Sequence, residues 1–327
     1  LEIRAVSAYG GIVYSLSAGL QAGTQATPCV TIAAFIVPAE TAVSERPMSE
    51  PLFVALQYVI PKLALTRLMG WLAGCRAGGL THWVIRRFIA RYNVNMAEAA
   101  EQDITRFATF NEFFTRALKD GARPLAAAAQ VCPVDGAISQ FGAIEQDQIF
   151  QAKGHSYSTT ALLGGDAELA KSFENGHFAT IYLSPRDYHR IHMPATGRLL
   201  QMTYVPGELF SVNPATARGV PGLFARNERV VCVFEDEAGK PFVLVLVGAT
   251  IVGSMATVWH GVVNPPRPGT IWTRDYRDQQ IVLKQGEEMG RFLLGSTVVL
   301  LYPQGDWQWN PAWAPAASVR LGEMMAG

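Results

Sequence analysis

Five segments in the second half of the chain limit the fold more than any other feature. They are "GRLLQMTYV" (197–205), "RVVCVFE" (229–235), "PFVLVLVGATIVG" (241–253), "TVWHGVV" (257–263) and "RFLLGSTVVLLY" (291–302). Each is rich in β-branched and aromatic residues, with Gly, Pro or Asn between them, the pattern of strands bounded by turns. A mainly β domain is therefore expected from about Cys132 to about Pro303. The last segment holds a Gly-Ser pair, Gly295–Ser296. Gly inside a strand ordinarily marks a bulge or a close backbone approach. The other reading is that the Gly295–Ser296 bond is made to break, and four letters alone do not decide between the two.

The first third is different. From Met48 to Arg91 there are six bases (Lys62, Arg67, Arg76, Arg86, Arg87, Arg91) and one acid, Glu50, among Leu, Ile, Val and Phe at helical spacings, with Trp71 and Trp83. Apolar residues on one face, bases on the other and Trp near the border suit helices lying in a membrane surface. A helical hairpin packed on the domain is the plainer alternative. Gly70, Gly74, Gly78 and Gly79 would divide the region into two or three helices. No run reaches the eighteen or so apolar residues of a spanning helix. "TFNEFFTRAL" (109–118) reads as a capped helix, with Thr109 and Glu112 as a capping box. The fold class is thus α+β: N-terminal amphipathic helices (48–107), then a mainly antiparallel, sandwich- or barrel-like domain (108–327). Residues 1–47 read as an extension, a tag or a misplaced start, with the working protein beginning at Met48.

Acids balance bases at 27 each, which argues against a nucleic-acid partner. The four cysteines, Cys29, Cys75, Cys132 and Cys232, lie too far apart for a metal-ligand or disulfide-framework pattern, which points to a reducing compartment.

Two of six histidines sit together in "YLSPRDYHRIHMP" (182–194). His189 and His192 have helical spacing for a metal, but Pro185 and Pro194 bracket them and no third ligand is evident, so no metal is expected. A loop presenting imidazoles for proton transfer fits better; loop hydrogen bonding is the bland alternative. Asp135, in "CPVDGAIS" (132–139), reads as a turn residue. Facing an imidazole, it would fix the tautomer and stabilise the charged form.

Taken in order, "LQYVIPKLALTRLMGWLA", "TFNEFFTRALKDGARP", "VDGAISQFG", "QAKGHSYS", "YLSPRDYHRIHMP", "VPGELFSVNP", "LFARNERV", "VGATIVGS" and "GRFLLGSTV" resemble the bacterial, membrane-associated phosphatidylserine decarboxylases. The resemblance runs from Met48 to about Tyr302. It implies a zymogen that cuts itself between Gly295 and Ser296. Ser296 Oγ would attack the Gly295 carbonyl, and elimination and hydrolysis would convert Ser296 to a pyruvoyl cofactor. It implies His192 as the base for that cleavage, oriented by Asp135. The pyruvoyl group would then form a Schiff base with the serine amine of the lipid, giving phosphatidylethanolamine and carbon dioxide, a step of phospholipid biosynthesis. His189 is the candidate proton donor in turnover. The implied partners are phosphatidylserine in anionic membranes and a β chain held to an α chain as a heterodimer, with further dimerisation left open. The implied place is the periphery of the cell membrane, on its cytoplasmic face. Headgroup ligands stay unassigned, with Arg186, Arg190 and Arg226 as candidates by charge alone. Two other functions compete: a pyruvoyl decarboxylase of a soluble amino acid, and an inactive membrane-bound β-sandwich adaptor. A serine hydrolase is disfavoured, because no Gly-x-Ser-x-Gly elbow surrounds Ser296.

Overall fold

The computed structural model describes residues 49–251 and 254–327, with the backbone of two paired antiparallel strands, Glu2–Ala8 and Gly11–Ser17. Beyond that hairpin, the expectations for residues 1–47 and for a start at Met48 lie outside the described residues. Three helices come first: α1 (Glu50–Val59), α2 (Lys62–Ala73) and α3 (Gly79–Tyr92). Pro61 separates α1 from α2, and a loop with Gly78 at φ +54° separates α2 from α3. Gly70, expected as a break, lies inside α2.

The three helices bury opposite kinds of residue. Helix α3 is conventional: Val84, Ile85 and Phe88 pack on Phe107, Phe110, Phe113 and Phe114, with Arg86 and Arg87 in solvent. Helix α1 is inverted. Its one buried side chain is Gln57, which donates to Thr216 Oγ1 (3.0 Å) and accepts from Ser211 N (2.8 Å). Leu52, Leu56, Tyr58 and Val59 are exposed, as are Leu63, Leu68 and Trp71 of α2. So many large apolar side chains left in solvent on two successive helices suit an interaction face. Among the described residues no single helix is long and apolar enough to cross a membrane; α1 and α2 qualify only as a pair bent by 88°.

A short helix, α4 (Phe110–Phe114), follows, capped as expected: Glu112 N donates to Thr109 Oγ1 (3.1 Å). The return bond from Glu112 goes to Ala108 N (2.8 Å), one residue before the cap.

The rest is mainly antiparallel sheet. The large sheet runs in the order Trp272–Asp275, Gly197–Val205, Arg229–Glu235, Pro241–Val247, Ser296–Tyr302, His177–Leu183, Gly136–Ala143, Ser318–Val319, and its path is open. A smaller sheet has the order Gly261–Val262, Met255–Thr257, Glu288–Phe292, Arg190–His192. One face of the large sheet (Cys232, Leu244, Leu246, Val298, Leu300) packs on Ile191, Met255, Met289 and Phe292 of the small one. The other face (Val231, Val243, Val245, Val299, Leu301) is covered by Leu162, Phe173, Phe210 and Phe224. Successive side chains of a strand point to opposite faces. A strand covered on both faces is therefore apolar throughout, which accounts for "VLVLV" and "TVVLLY". Chain crossings between the two sheets position the site.

Candidate active site

"RFLLGSTVVLLY" forms two strands rather than one bulged strand. Glu288–Phe292 belongs to the small sheet and Ser296–Tyr302 to the large one. Leu293, Leu294 and Gly295 make the crossing. The neighbouring chain crosses in the same way, from His177–Leu183 in the large sheet to Arg190–His192 in the small sheet. The two crossings are tied at both ends. Ser296 pairs with Leu183, and Phe292 N donates to His189 O (3.0 Å). Gly295–Ser296 and His189 thus share one junction between the sheets.

That junction holds polar atoms with nothing to bond. Ser296, Thr297 and His189 are fully buried, and Ser296 Oγ, Thr297 Oγ1 and His189 Nε2 have no hydrogen-bond partner. Each unsatisfied buried group costs roughly 1–3 kcal/mol, an expense with no structural return. His189 Nδ1 donates to the Asp187 carbonyl (2.8 Å), which leaves Nε2 as the bare, basic nitrogen. Burial, with the Arg116 charge adding to it, pushes the His189 pKa down to about 3. The ring packs on Phe114, 4.1 Å between centroids.

His192 is placed differently. It stands opposite Glu288 at the end of the strand Arg190–His192, which His189 immediately precedes. Its Nδ1 donates to Gly286 O (2.8 Å), and its Nε2 accepts from the Tyr188 hydroxyl (3.0 Å). Burial lowers its pKa too, with Arg190 adding to the shift, while the Gly286 carbonyl and the Glu288 and Asp135 charges oppose it. Asp135 is held by Arg123, at 2.5 Å from Nη2 and 2.9 Å from Nε, and by Leu321 N (2.9 Å). Ser296 and His189 therefore sit on neighbouring crossings with no hydrogen bond between them, whereas His192 and Asp135 are bonded elsewhere and act on one another through space. The Gly after Asp135 has a steric reason: a Cβ on Gly136 would lie 2.4 Å from Tyr182 O.

The three candidate headgroup arginines do not converge. Arg186 is exposed. Arg190 bonds Thr115 O (2.9 Å) and Glu288 (2.8 Å), and Arg226 lies 5.0 Å from the Phe210 ring centre. A residue not singled out in the sequence is Arg116, within "FFTRAL". It is 5% exposed, with Nε and Nη1 unbonded and Nη2 on Arg186 O (3.3 Å). Among the described residues no cluster of His, Cys, Asp and Glu forms a metal site.

Residues 110–327 match the family model for phosphatidylserine decarboxylase, and 52–93 match a second model named PSD. The chain is similar to the phosphatidylserine decarboxylase proenzyme of Chromobacterium violaceum, 71% identical over 279 residues, covering 85% of this chain and all of that one. The proenzymes of the same name from Delftia acidovorans (72% over 281 residues, 86% and 99% covered) and Variovorax paradoxus (70% over 279 residues, 85% and 98% covered) are equally similar.

Proposed function

The chain belongs to the phosphatidylserine decarboxylase family, and we propose that it is made as a proenzyme that cleaves itself at Gly295–Ser296 and then decarboxylates phosphatidylserine to phosphatidylethanolamine. The observation that carries this reading is the junction: a buried Ser296 hydroxyl and a buried His189 Nε2, both unbonded, on two chain crossings tied together. Ser296 Oγ adds to the Gly295 carbonyl carbon and the peptide nitrogen leaves, giving an ester. Loss of the Ser296 α-proton expels the Gly295 carboxylate. Water then replaces the nitrogen, which departs as ammonia, and the new chain begins with a pyruvoyl group. That group supplies an electrophilic ketone for the headgroup amine and a sink for the electrons that carbon dioxide leaves behind.

The chain's own groups divide the proton work. A base must become positively charged when it takes the Ser296 proton. At His192 that charge is supported by Glu288 and Asp135 and opposed by Arg190; at His189 it is opposed by Arg116. This favours His192 for self-cleavage, once its Nε2 exchanges the Tyr188 hydroxyl for Ser296. His189 suits turnover, where the substrate's own carboxylate brings the negative charge that lets its imidazole take up and pass on a proton. Asp135 acts by its charge on His192.

The inverted helix α1 and the exposed apolar residues of α2 supply a face for the bilayer that holds the substrate, with the bases of α3 nearby for anionic lipid. We therefore assign the protein to the surface of the cell membrane, on its cytoplasmic side, as a heterodimer of the two cleavage products. The decisive experiment is an intact-mass spectrum under denaturing conditions, paired with a lipid assay. Wild type should give two chains, the smaller one starting with pyruvoyl. Ser296→Ala should give one chain and release no carbon dioxide; carbon dioxide from that variant would refute the reading.

A further inference from the structure

Beside the cleavage site lies a cavity of about 570 Å³. Leu293 and Leu294, the two residues before Gly295, form one wall, and Arg67 and Trp71 of α2 another. Asn111 of α4 and Arg267 complete it. The loop at 248–251 is tied to α2 where Ile251 N donates to Thr66 Oγ1 (3.1 Å). Among the described residues that line this cavity there are two guanidinium groups and no carboxylate.

The two arginines are held differently. Arg267 is fixed: its Nε donates to both oxygens of the buried Glu228, at 2.8 and 3.1 Å. The Tyr204 hydroxyl donates to the same carboxylate (2.6 Å). Glu228 lies behind Arg267 and formally balances its charge. Arg67 projects from the exposed side of α2 and supplies the net positive charge. Both arginines also line a second cavity of about 630 Å³, bordered by Ile60, Pro61 and Leu63 under the α1–α2 bend and by Glu208 and Glu228. The pair thus stands between the largely apolar cavity beside Leu293 and Leu294 and a passage below the α1–α2 bend. Asn111 Oδ1 is buried and has no hydrogen-bond partner.

We infer that the cavity between α2 and Leu293–Leu294 is the headgroup site, in which Arg67 and Arg267 grip the phosphodiester and Asn111 Oδ1 accepts an N–H of the serine amine. The inference rests on the function proposed above. A phosphodiester matches paired guanidinium groups, and the acyl chains then leave past Ile60 and Leu63 toward the bilayer. Charge separates substrate from product. The serine headgroup carries two anionic groups against one ammonium, a net negative charge that the net positive site attracts. Decarboxylation leaves a neutral zwitterion, which the site holds less well. The arginines chosen earlier by charge alone, Arg186, Arg190 and Arg226, do not line this cavity.

Arg67 carries the test, because removing Arg267 would strand Glu228 as a buried, unpaired carboxylate. The substrate should be a short-chain phosphatidylserine kept below its micelle concentration, so that membrane binding plays no part. Arg67→Ala should raise KM about tenfold to a hundredfold, the range for losing a hydrogen bond to a charged group, with kcat changed less than about threefold. Arg67→Lys should recover part of the loss. Inorganic phosphate should compete with substrate in wild type and several-fold more weakly in Arg67→Ala. Self-cleavage on a denaturing gel is the control for folding. An unchanged KM in a fully cleaved Arg67→Ala protein would overturn the inference and leave the decarboxylase reading intact. A wild type that neither cleaves nor decarboxylates would remove the reading beneath it.

Discussion

His189 is buried as a neutral imidazole, and this sets a measurable dependence of stability on pH. Its pKa in the folded protein is about 3, against about 6.5 for an unfolded chain. Below pH 6.5 the unfolded state takes up a proton that the folded state refuses. Stability is therefore lost as pH falls from 6.5 toward 3, at about 1.4 kcal/mol per unit. The loss is on the order of 1 kcal/mol at pH 5.5 and of 3 kcal/mol at pH 4.5. The measurement is urea unfolding of Ser296→Ala, which keeps one chain, with and without His189→Gln, at pH 7.5, 5.5 and 4.5. Glutamine retains polarity and much of the volume but does not titrate. His192 and Asp187 are present in both proteins, so their titrations cancel in the difference. At pH 7.5 the Gln variant should be the less stable, because the ring's packing on Phe114 is lost. By pH 4.5 the gap should have moved in the variant's favour by roughly 3 kcal/mol. Parallel pH profiles, within about 1 kcal/mol at pH 4.5, would mean that His189 is not held neutral, and the argument from burial and Arg116 would fail.

The remaining expectations concern the division of roles and the membrane face. His192→Ala should accumulate as precursor, whereas His189→Ala should split yet lose about 10²–10⁴ in turnover, the usual share of a general acid or base; a gel and a lipid assay with the opposite pattern would reverse the assignment. Replacing Leu52, Leu56 and Val59 with Ser should weaken flotation with anionic liposomes while leaving self-cleavage intact. Unchanged flotation would give α1 a purely structural role.

Much of the architecture was readable because strand chemistry is local. Arg229–Glu235 and Gly197–Val205 have the limits their residues suggest, and the Thr109 cap forms. The break in "RFLLGSTVVLLY" was not readable, because nothing local announces that Phe292 and Ser296 join different sheets. Of the expected helix breaks, Gly74 and Gly78 flank the gap between α2 and α3, whereas Gly70 lies inside α2. Gly lowers helix propensity by only about 1 kcal/mol, too little to end α2 at Gly70. Pro61 removes a backbone donor and ends α1. The inversion of α1 was also hidden: a helical wheel shows that Gln57 lies apart from the leucines, not which side meets the domain.

Motif order names the chemistry of the site but not its distances. "HRIH" presents two imidazoles at short spacing, but His192 lies in the strand Arg190–His192 and His189 in the crossing before it. One therefore reaches the junction beside Ser296 and the other lies near Glu288 and Asp135. Charge alone likewise misdirects the search for headgroup ligands, because it does not reveal which arginines line the cavity beside Leu293 and Leu294. Arg190 is bound to Glu288, and Arg226 covers Phe210. Arg67 and Arg267, 200 positions apart in the chain, share a cavity because α2 folds back over the loop at 248–251. The headgroup site inferred above draws on α2 and on the segments that join the two sheets together. Its ligands become visible only when both are in place.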